Sequence, residues 1–450
     1  MKQKYIVVLG GGESGVGAAI LAKQKGYKVF LSDLSAIKPN YLQLLNEHDI
    51  PFEEKQHSEE KLLSADEVIK SPGIPDEAPL IQKFKKRGTP IVSEIEFAGR
   101  FSNAKMICIT GSNGKTTTTM LTYHILKSAG LNVGLAGNVG NSLAYQVAKE
   151  SFDYYVIELS SFQLDNMYKF KADIAILLNI TPDHMDRYEH SFQKYIDAKF
   201  RILQNQTKTD YFIYWDNDPV IQTELKKNIA QHINCLPFSE NRTNNQNAFV
   251  EKNKFCVKID NSEFSMPIEN LALEGQHNLY NAMAATLVAK IVGIENKQIE
   301  KSLSDFQGVE HRLENVATIN GIKYINDSKA TNVNSCWYAL QSMKTPVVLI
   351  LGGKDKGNDY SEIDDLVKEK VKTLVFMGFD NSPLHKHFDE MGIDIIDTSS
   401  IQNAIEVATE AATEGDTILL SPCCASFDLF KSYEDRGTQF KQIVHSLEKR

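Results

Sequence analysis

Several things are missing from this sequence, and each absence narrows what the chain can be. No apolar run approaches the ~20 residues of a membrane-spanning helix, and no signal-peptide h-region with a cleavage site precedes the strand-like Tyr5 to Leu9. Cysteine is scarce and scattered: there are six, with no C-x-x-C spacing and only Cys423 and Cys424 close together. That pattern argues against a disulfide framework and for the reduced thiols of a cytoplasmic protein. Basic charge is in deficit, the net being -9, so nucleic acid and anionic membrane surfaces are not expected as partners. There is no low-complexity tract and no short-period repeat. The remainder is ordinary globular material, 42% hydrophobic and 24% charged over 450 residues. A chain of this length exceeds one hydrophobic core, and about three domains are expected.

The most informative stretch runs from Ile107 to Thr117. The apolar Ile107-Cys108-Ile109 breaks into Thr110-Gly111-Ser112-Asn113-Gly114-Lys115-Thr116-Thr117, followed by a helix-compatible run from Thr118 to Ala129. Strand, glycine turn and helix in this order form a phosphate loop. Glycines let successive N–H groups turn inward, and the helix N-terminus adds unpaired amides and positive dipole. Lys115 then reaches the β- and γ-phosphates and the Thr116 hydroxyl meets Mg²⁺. Ile109 stands where the common loop has its first glycine, so this is the compact Thr-Gly-x-x-Gly-Lys-Thr form.

Before this loop, strand and helix patterns alternate, which predicts a parallel sheet covered by helices. Gly10 to Gly17 reads as a glycine-rich turn, with a helix expected from Ala18 to Lys25 and a strand from Val29 to Leu31 leading to Asp33. The turn satisfies Gly10-x-Gly12-x-x-Gly15, which fits a dinucleotide site, another nucleotide diphosphate, or plain helix-on-sheet packing. Val68 to Pro75 reads as a strand end entering a Pro/Gly turn with Ser71 and Gly73, at a carboxyl edge where ligands bind, although by itself the octet favours a plain structural turn.

After the phosphate loop, the strand Tyr154 to Ile157 ends in Glu158, an acid well placed for Mg²⁺. The strand Ile174 to Leu178 runs into Asn179-Ile180-Thr181-Pro182-Asp183-His184; His184 suits a second metal site or a hydrogen-bonded turn. A helix is expected from Ser191 to Leu203, and Lys199 lies on or near its apolar stripe. Spacing alone favours a snorkelling surface lysine over a half-buried neutral amine. Residues 205 to 270 read as polar and irregular with short strand-like pieces. Glu274 to Ala282 opens an alanine-rich helix on which Asn278 and Asn281 share a face, fit for capping or for an adenine edge. A boundary follows near Gly308. Beyond it, Tyr324-Ile325, Val347 to Leu351, Thr373 to Met377 and Thr417 to Leu420 are spaced for a second parallel sheet. Its polar loops, Asn326 to Asn332, Gly352 to Gly357 and Ser421 to Phe427, make a ligand-facing rim.

Assembled, these motifs resemble the Mur ligase family over essentially the whole chain. The phosphate loop, Glu158, His184, the helix bearing Lys199, Gly275-Gln276-His277-Asn278 and His311-Arg312 match in order. Asn326 to Asn332 together with Ser421 to Asp428 are similar to the branch of the family that adds D-glutamate. The resemblance implies an α/β protein of three domains: a Rossmann-like domain over 1–93 for a UDP-sugar, a central P-loop-type ATPase domain over 94–308, and a C-terminal Rossmann-like domain over 309–450 that binds D-glutamate and part of ATP. It implies ATP-dependent amide formation between D-glutamate and UDP-N-acetylmuramoyl-L-alanine through an acyl phosphate, in cytoplasmic peptidoglycan precursor synthesis, by a monomer.

By the same resemblance Lys115, His184 and Lys199 are catalytic. ATP falls to Gly111, Ser112, Asn113, Gly114, Lys115, Thr116, Thr117, Asn278, Asn281, Arg312, Asp327 and Lys329. Two Mg²⁺ ions fall to Thr116, Glu158, His184 and Lys199, with Lys199 carbamylated, which reverses the surface-lysine reading. The UDP-sugar falls to Ser14, Asp33, Ser35, Ser71, Gly73 and Asn138, and D-glutamate to Thr331, Lys356, Ser426, Phe427 and Tyr433. Two positions depart from the pattern: Tyr433 stands where phenylalanine is expected, and Glu13 puts an acid in the first glycine turn. Competing readings are another amide ligase such as folylpolyglutamate synthetase, a nicotinamide-dependent dehydrogenase, and a nucleotide-gated binding protein without turnover.

Overall fold

The computed structural model describes residues 3–227, 229–241, 245–355 and 357–448; the D-glutamate candidate Lys356 lies outside the described residues. Among these residues the strands form three sheets. The first is parallel, with β1 (Tyr5–Leu9), β2 (Lys28–Ser32), β3 (Phe52–Glu53), β4 (Glu67–Lys70) and β5 (Ile91–Val92) in the order β3-β2-β1-β4-β5. All of β1 is buried, which is why it reads as an unbroken apolar run rather than an alternation. The helix that follows begins at Glu13, not Ala18. Its glycines belong to the packing and not to the turn: a Cβ on Gly15 would lie 1.9 Å from the Gly10 carbonyl oxygen.

The central sheet holds β6 (Lys105–Thr110), β7 (Val133–Gly137), β8 (Tyr154–Glu158), β9 (Ile174–Leu177), β10 (Tyr211–Trp215), β11 (Asn234–Phe238), β12 (Ala248–Glu251), β13 (Lys254–Ile259) and β14 (Ser262–Pro267). Their order is β14-β13-β12-β11-β10-β9-β6-β8-β7, with antiparallel pairing only from β12 outward. Residues 205 to 270 are therefore largely regular, against the irregular reading: they supply five of these strands and the helix Pro219–Leu225. β6 has β8 and then β7 on one side and β9 and then β10 on the other, so the loop after β6 sits where the sheet order turns, the position at which α/β sheets bind ligands.

The third sheet orders β15 (Glu314–Ile319), β16 (Ile322–Asn326), β17 (Val347–Leu351), β18 (Val371–Met377), β19 (Asp394–Thr398) and β20 (Thr417–Leu420) as β15-β16-β20-β17-β18-β19. It is parallel except for β15, an antiparallel edge strand that the sequence reading did not anticipate. The chain divides into two compact units, one of Met1–Leu271 with Asn278–Phe306, the other of Ala272–His277 with Gln307–Arg450. The first two sheets share a unit, and the third stands in the other. No described helix is long and apolar enough to cross a membrane.

Candidate active site

The phosphate loop is built where sequence spacing puts it. β6 ends at Thr110, Gly111 takes φ +149° and Gly114 φ +81°, and a helix starts at Lys115 and runs to Ser128. Gly114 also permits a close approach, since a Cβ there would lie 2.6 Å from Asn281 Oδ1. Asn281 accepts from the Thr118 hydroxyl at 3.0 Å and donates to Asn278 Oδ1 at 3.2 Å, so the two asparagines buttress the first turn of the phosphate helix. The segment after β9 fixes the other flank. Ser112 N donates to Asn179 O at 2.9 Å, Asn113 N to Asn179 Oδ1 at 2.8 Å, and the Ser112 hydroxyl to Thr181 O at 2.9 Å. Thr116 and Thr117 are buried within the helix's first turn.

Two lysines converge on this loop. Lys115 Nζ donates to the carbonyls of Gly111 and Ser112, each at 2.8 Å. Lys199, from the helix Phe192–Phe200, donates to the same Gly111 carbonyl at 2.8 Å and to Thr110 Oγ1 at 3.2 Å. Lys199 is 2% exposed, which overturns the surface-lysine reading from spacing. Burial first, and the Lys115 ammonium second, hold its amine well below the ordinary lysine range. The cover comes from Thr110, Gly111 and Tyr195, whose ring centroid lies 5.2 Å from Nζ. Pattern within a single helix cannot show it.

Glu158, at the end of β8, is buried. Its Oε1 accepts from Asn138 Nδ2 at 2.8 Å, while its Oε2 is buried without a hydrogen-bond partner. An orphaned carboxylate oxygen one strand from a phosphate loop suits a hard divalent cation. His184 adopts a left-handed backbone at φ +54°, with its ring 5.0 Å from that of Phe162 and its Nε2 3.6 Å from Asp183 Oδ2. Among the described residues no group of three or more His, Cys, Asp or Glu is placed to hold a metal. The unpaired Glu158 oxygen fits an ion that takes most of its shell from phosphate oxygens and water, as Mg²⁺ does.

At the carboxyl edge of the first sheet, Asp33 Oδ2 accepts from Gly11 N at 2.5 Å and Oδ1 from Ser35 N at 2.7 Å. The acid thus braces the glycine turn against the loop after β2. Ser14 is half-buried on the first helical turn, and Ser71 and Gly73 follow β4. The buried Lys70 holds their turn by donating to Ile74 O at 2.7 Å beside Asp76 at 2.9 Å. Glu13 turns away from the glycine loop and accepts from Ser142 N at 3.0 Å, heading the helix Leu143–Lys149.

In the other unit, Asp327 follows β16 and accepts from Leu313 N at 3.2 Å and from the Ser421 hydroxyl at 2.9 Å. Burial raises its pKa to about 6 despite the neighbouring Arg312. The Arg312 Nε is buried without a hydrogen-bond partner, an unused donor beside that acid. Lys329 Nζ lies 5.4 Å from the Tyr433 ring centroid; Thr331 is half-buried, Ser426 buried, and Phe427 exposed. Sequence reading missed Arg436. Fully buried, it donates through Nε to Ser328 Oγ at 2.9 Å, through Nη2 to Ser328 O at 2.8 Å, and through Nη1 to Cys424 O at 3.3 Å. It pins together the two loops that carry Thr331 and Ser426. A cation in the first turn of a helix, where the dipole disfavours it, was the available signal.

Comparison with known proteins places these features. Residues 4–93 match the family model described as Mur ligase MurD-like, N-terminal domain, residues 109–289 the Mur ligase middle domain, and residues 311–424 the Mur ligase, glutamate ligase domain. A UDP-N-acetylmuramoylalanine--D-glutamate ligase of Bacteroides fragilis is 63% identical over 446 residues, covering 99% of this chain and 100% of the relative. One from Porphyromonas gingivalis is 58% identical over 450 residues, covering 99% of each. Among solved structures, a UDP-N-acetylmuramate-alanine ligase from Thermotoga maritima matches with a TM-score of 0.63 at 19% identity, covering 99% of each chain. A MurF ligase of the same organism in complex with ADP matches at 0.59 and 13% identity, covering 93% of this chain and 95% of that one. Those two show a shared three-domain α/β architecture, and with family models along most of its length and full-length relatives well above half identical, the chain belongs to the Mur ligase family.

Proposed function

We propose that this protein joins D-glutamate to UDP-N-acetylmuramoyl-L-alanine, with ATP cleaved to ADP and phosphate, as a cytoplasmic step of peptidoglycan precursor synthesis. The observation that carries this reading is the 63% identity, along the whole chain, to relatives of that name. The geometry of the phosphate loop supports the ATP half independently, because a carboxylate is a poor electrophile and must first be activated. Its oxygen attacks the γ-phosphorus, ADP leaves, and an acyl phosphate results. The D-glutamate amine then adds to the acyl carbon, and phosphate departs from the tetrahedral adduct as the amine proton is lost.

Both reactants of the first step are anions, so most of the work is positioning and charge compensation. Lys115, whose ammonium donates to the carbonyls of Gly111 and Ser112, would exchange those bonds for phosphate oxygens. The amides of Gly111 to Thr117 cradle the polyphosphate at the helix N-terminus, and Asn278 and Asn281 flank the nucleotide. Bound Mg²⁺, which Glu158 and Thr116 would help to hold, supplies Lewis-acid stabilisation of the transferring phosphoryl group. The depressed pKa of Lys199 keeps a fraction of neutral amine, which can add carbon dioxide and lose a proton to become a carbamate. That carbamate, with His184, would offer oxygen and nitrogen to a second ion. Ser14, Asp33, Ser35, Ser71, Gly73 and Asn138 take the UDP-sugar, whereas Arg312, Asp327 and Lys329 are assigned to ATP. Thr331, Lys356, Ser426, Phe427 and Tyr433 take the amino acid.

A phosphate-release screen tests the whole reading. With UDP-N-acetylmuramoyl-L-alanine and ATP present, D-glutamate should give release far above every other D- or L-amino acid. Release that is independent of the amino acid, or selective for a different one, would remove the assignment.

A further inference from the structure

Glu158 owes its orientation to one neighbour. β7 ends at Gly137, where φ is +103° and a Cβ would lie 2.2 Å from the Glu158 carbonyl oxygen. That close approach lets Asn138 fold over the end of β8. Its backbone N–H donates to Glu158 O at 2.9 Å, and its side-chain Nδ2 donates to Glu158 Oε1 at 2.8 Å. The asparagine itself is exposed, whereas the carboxylate beneath it is buried with Oε2 left unpaired. One amide group of an exposed residue therefore touches the buried acid with its donor end.

The geometry points to Asn138 as a positioning residue that couples two ligands: it holds Glu158 with one oxygen free for a divalent cation, and a UDP-sugar that engages its outer face tightens that cation's site. This rests on the assignment of Asn138 to the UDP-sugar proposed above. The physical basis is ordering. A carboxylate held by a single hydrogen bond keeps its second oxygen aimed only while the donor is itself fixed, and an exposed side chain is fixed by whatever binds over it. Partners of this kind typically set metal affinity by 10- to 100-fold. By linkage, the factor by which the UDP-sugar tightens the metal must equal the factor by which the metal tightens the UDP-sugar.

The test is a titration of the full-length protein with Mn²⁺ in the presence of ADP, following free Mn²⁺ by electron paramagnetic resonance, with and without UDP-N-acetylmuramoyl-L-alanine. In the unaltered protein the UDP-sugar should lower the Mn²⁺ dissociation constant. Asn138→Ala should weaken Mn²⁺ on the order of 10-fold even without the UDP-sugar, and should abolish the coupling. The same change in a Glu158→Gln background should add nothing, because the pathway runs through that carboxylate. A variant that loses UDP-sugar affinity but keeps Mn²⁺ affinity unchanged would overturn the inference, as would full additivity of the two substitutions. If the unaltered protein fails to bind the UDP-sugar at all, the functional reading falls instead. The Mn²⁺ loss in Asn138→Ala, measured without UDP-sugar, would still decide the positioning role.

Discussion

Substituting Glu94 by glutamine should stabilise this protein, and increasingly so as pH rises toward neutrality. Glu94 opens the helix Glu94–Gly99 and is buried. Its Oε1 accepts from the Ser142 hydroxyl at 2.7 Å and from Ala144 N at 2.5 Å, joining the helix Leu143–Lys149 to the segment that follows the first sheet. Burial, assisted by the Glu13 charge, moves its pKa from the ordinary 4.5 to about 7, although the two donors oppose this. The folded protein therefore keeps the proton up to about pH 7, while the unfolded chain releases it near 4.5. Between those values the native state binds more protons, so stability contributed here falls as pH climbs and is flat above pH 7. The span, 7 less 4.5, is about 2.5 pH units, and at about 1.4 kcal/mol per unit the loss is on the order of 3 kcal/mol. Glutamine keeps a carbonyl oxygen for both donors and carries no such penalty. Thermal melts of the full chain from pH 4.5 to 8.5 should show a gap between Glu94→Gln and the unaltered protein that starts near zero and widens to roughly 5 °C by pH 7, then stays constant. A gap independent of pH, or a variant destabilised throughout, would show that the carboxylate is ionised in place and refute the reasoning.

Lys199→Met should separate stability from activity. The thioether fills the space of the lysine stem, and no buried acceptor is orphaned, since Gly111 O still receives Lys115 and Thr110 Oγ1 still donates to Leu159 O at 2.7 Å. Removing a buried cation should then raise stability by on the order of 1 kcal/mol, while phosphate release falls at least ~100-fold; a destabilised or fully active variant would contradict this, as read by melting and phosphate release. Arg436→Met should do the opposite, leaving the buried Ser328 and Cys424 carbonyls without these donors at a cost of about 2–4 kcal/mol. It should raise the KM for the acceptor amino acid while sparing that for the UDP-sugar, and equal effects on both would argue for general unfolding.

How much of this was legible in the sequence depends on whether the decisive contacts are local. β1 and β17 were readable because strands buried on both faces must be apolar throughout, and Thr110 to Thr117 because a phosphate loop needs its glycines, lysine and threonine at fixed offsets. The start of the first helix was misread because Gly15 and Gly17 look like a turn when their task is close packing. Residues 205 to 270 were misread because short strands added to a sheet edge carry few apolar residues each, as in β14, where only Phe264 and Met266 are buried. Lys199 and Arg436 were beyond reach for one shared reason. Their partners lie 88 and 108 residues away, at Gly111 and Ser328, and no periodicity within a helix reports on what covers it.

The phosphate loop as it stands holds its own charges in tension. Lys115 and Lys199 share the Gly111 carbonyl as acceptor, so two amines compete for one oxygen while Lys115 depresses the proton affinity of Lys199. One strand away, Glu158 Oε2 is buried with no donor. Neither defect can cure the other, because the same fold that places the lysines on the loop reserves the acid's free oxygen behind Asn138. A simple anion would relieve the lysines and leave the acid unsatisfied, and a bare cation would do the reverse. A polyphosphate with its divalent ion carries both signs at short range, so its oxygens can accept from Lys115 while its cation takes the unpaired oxygen of Glu158.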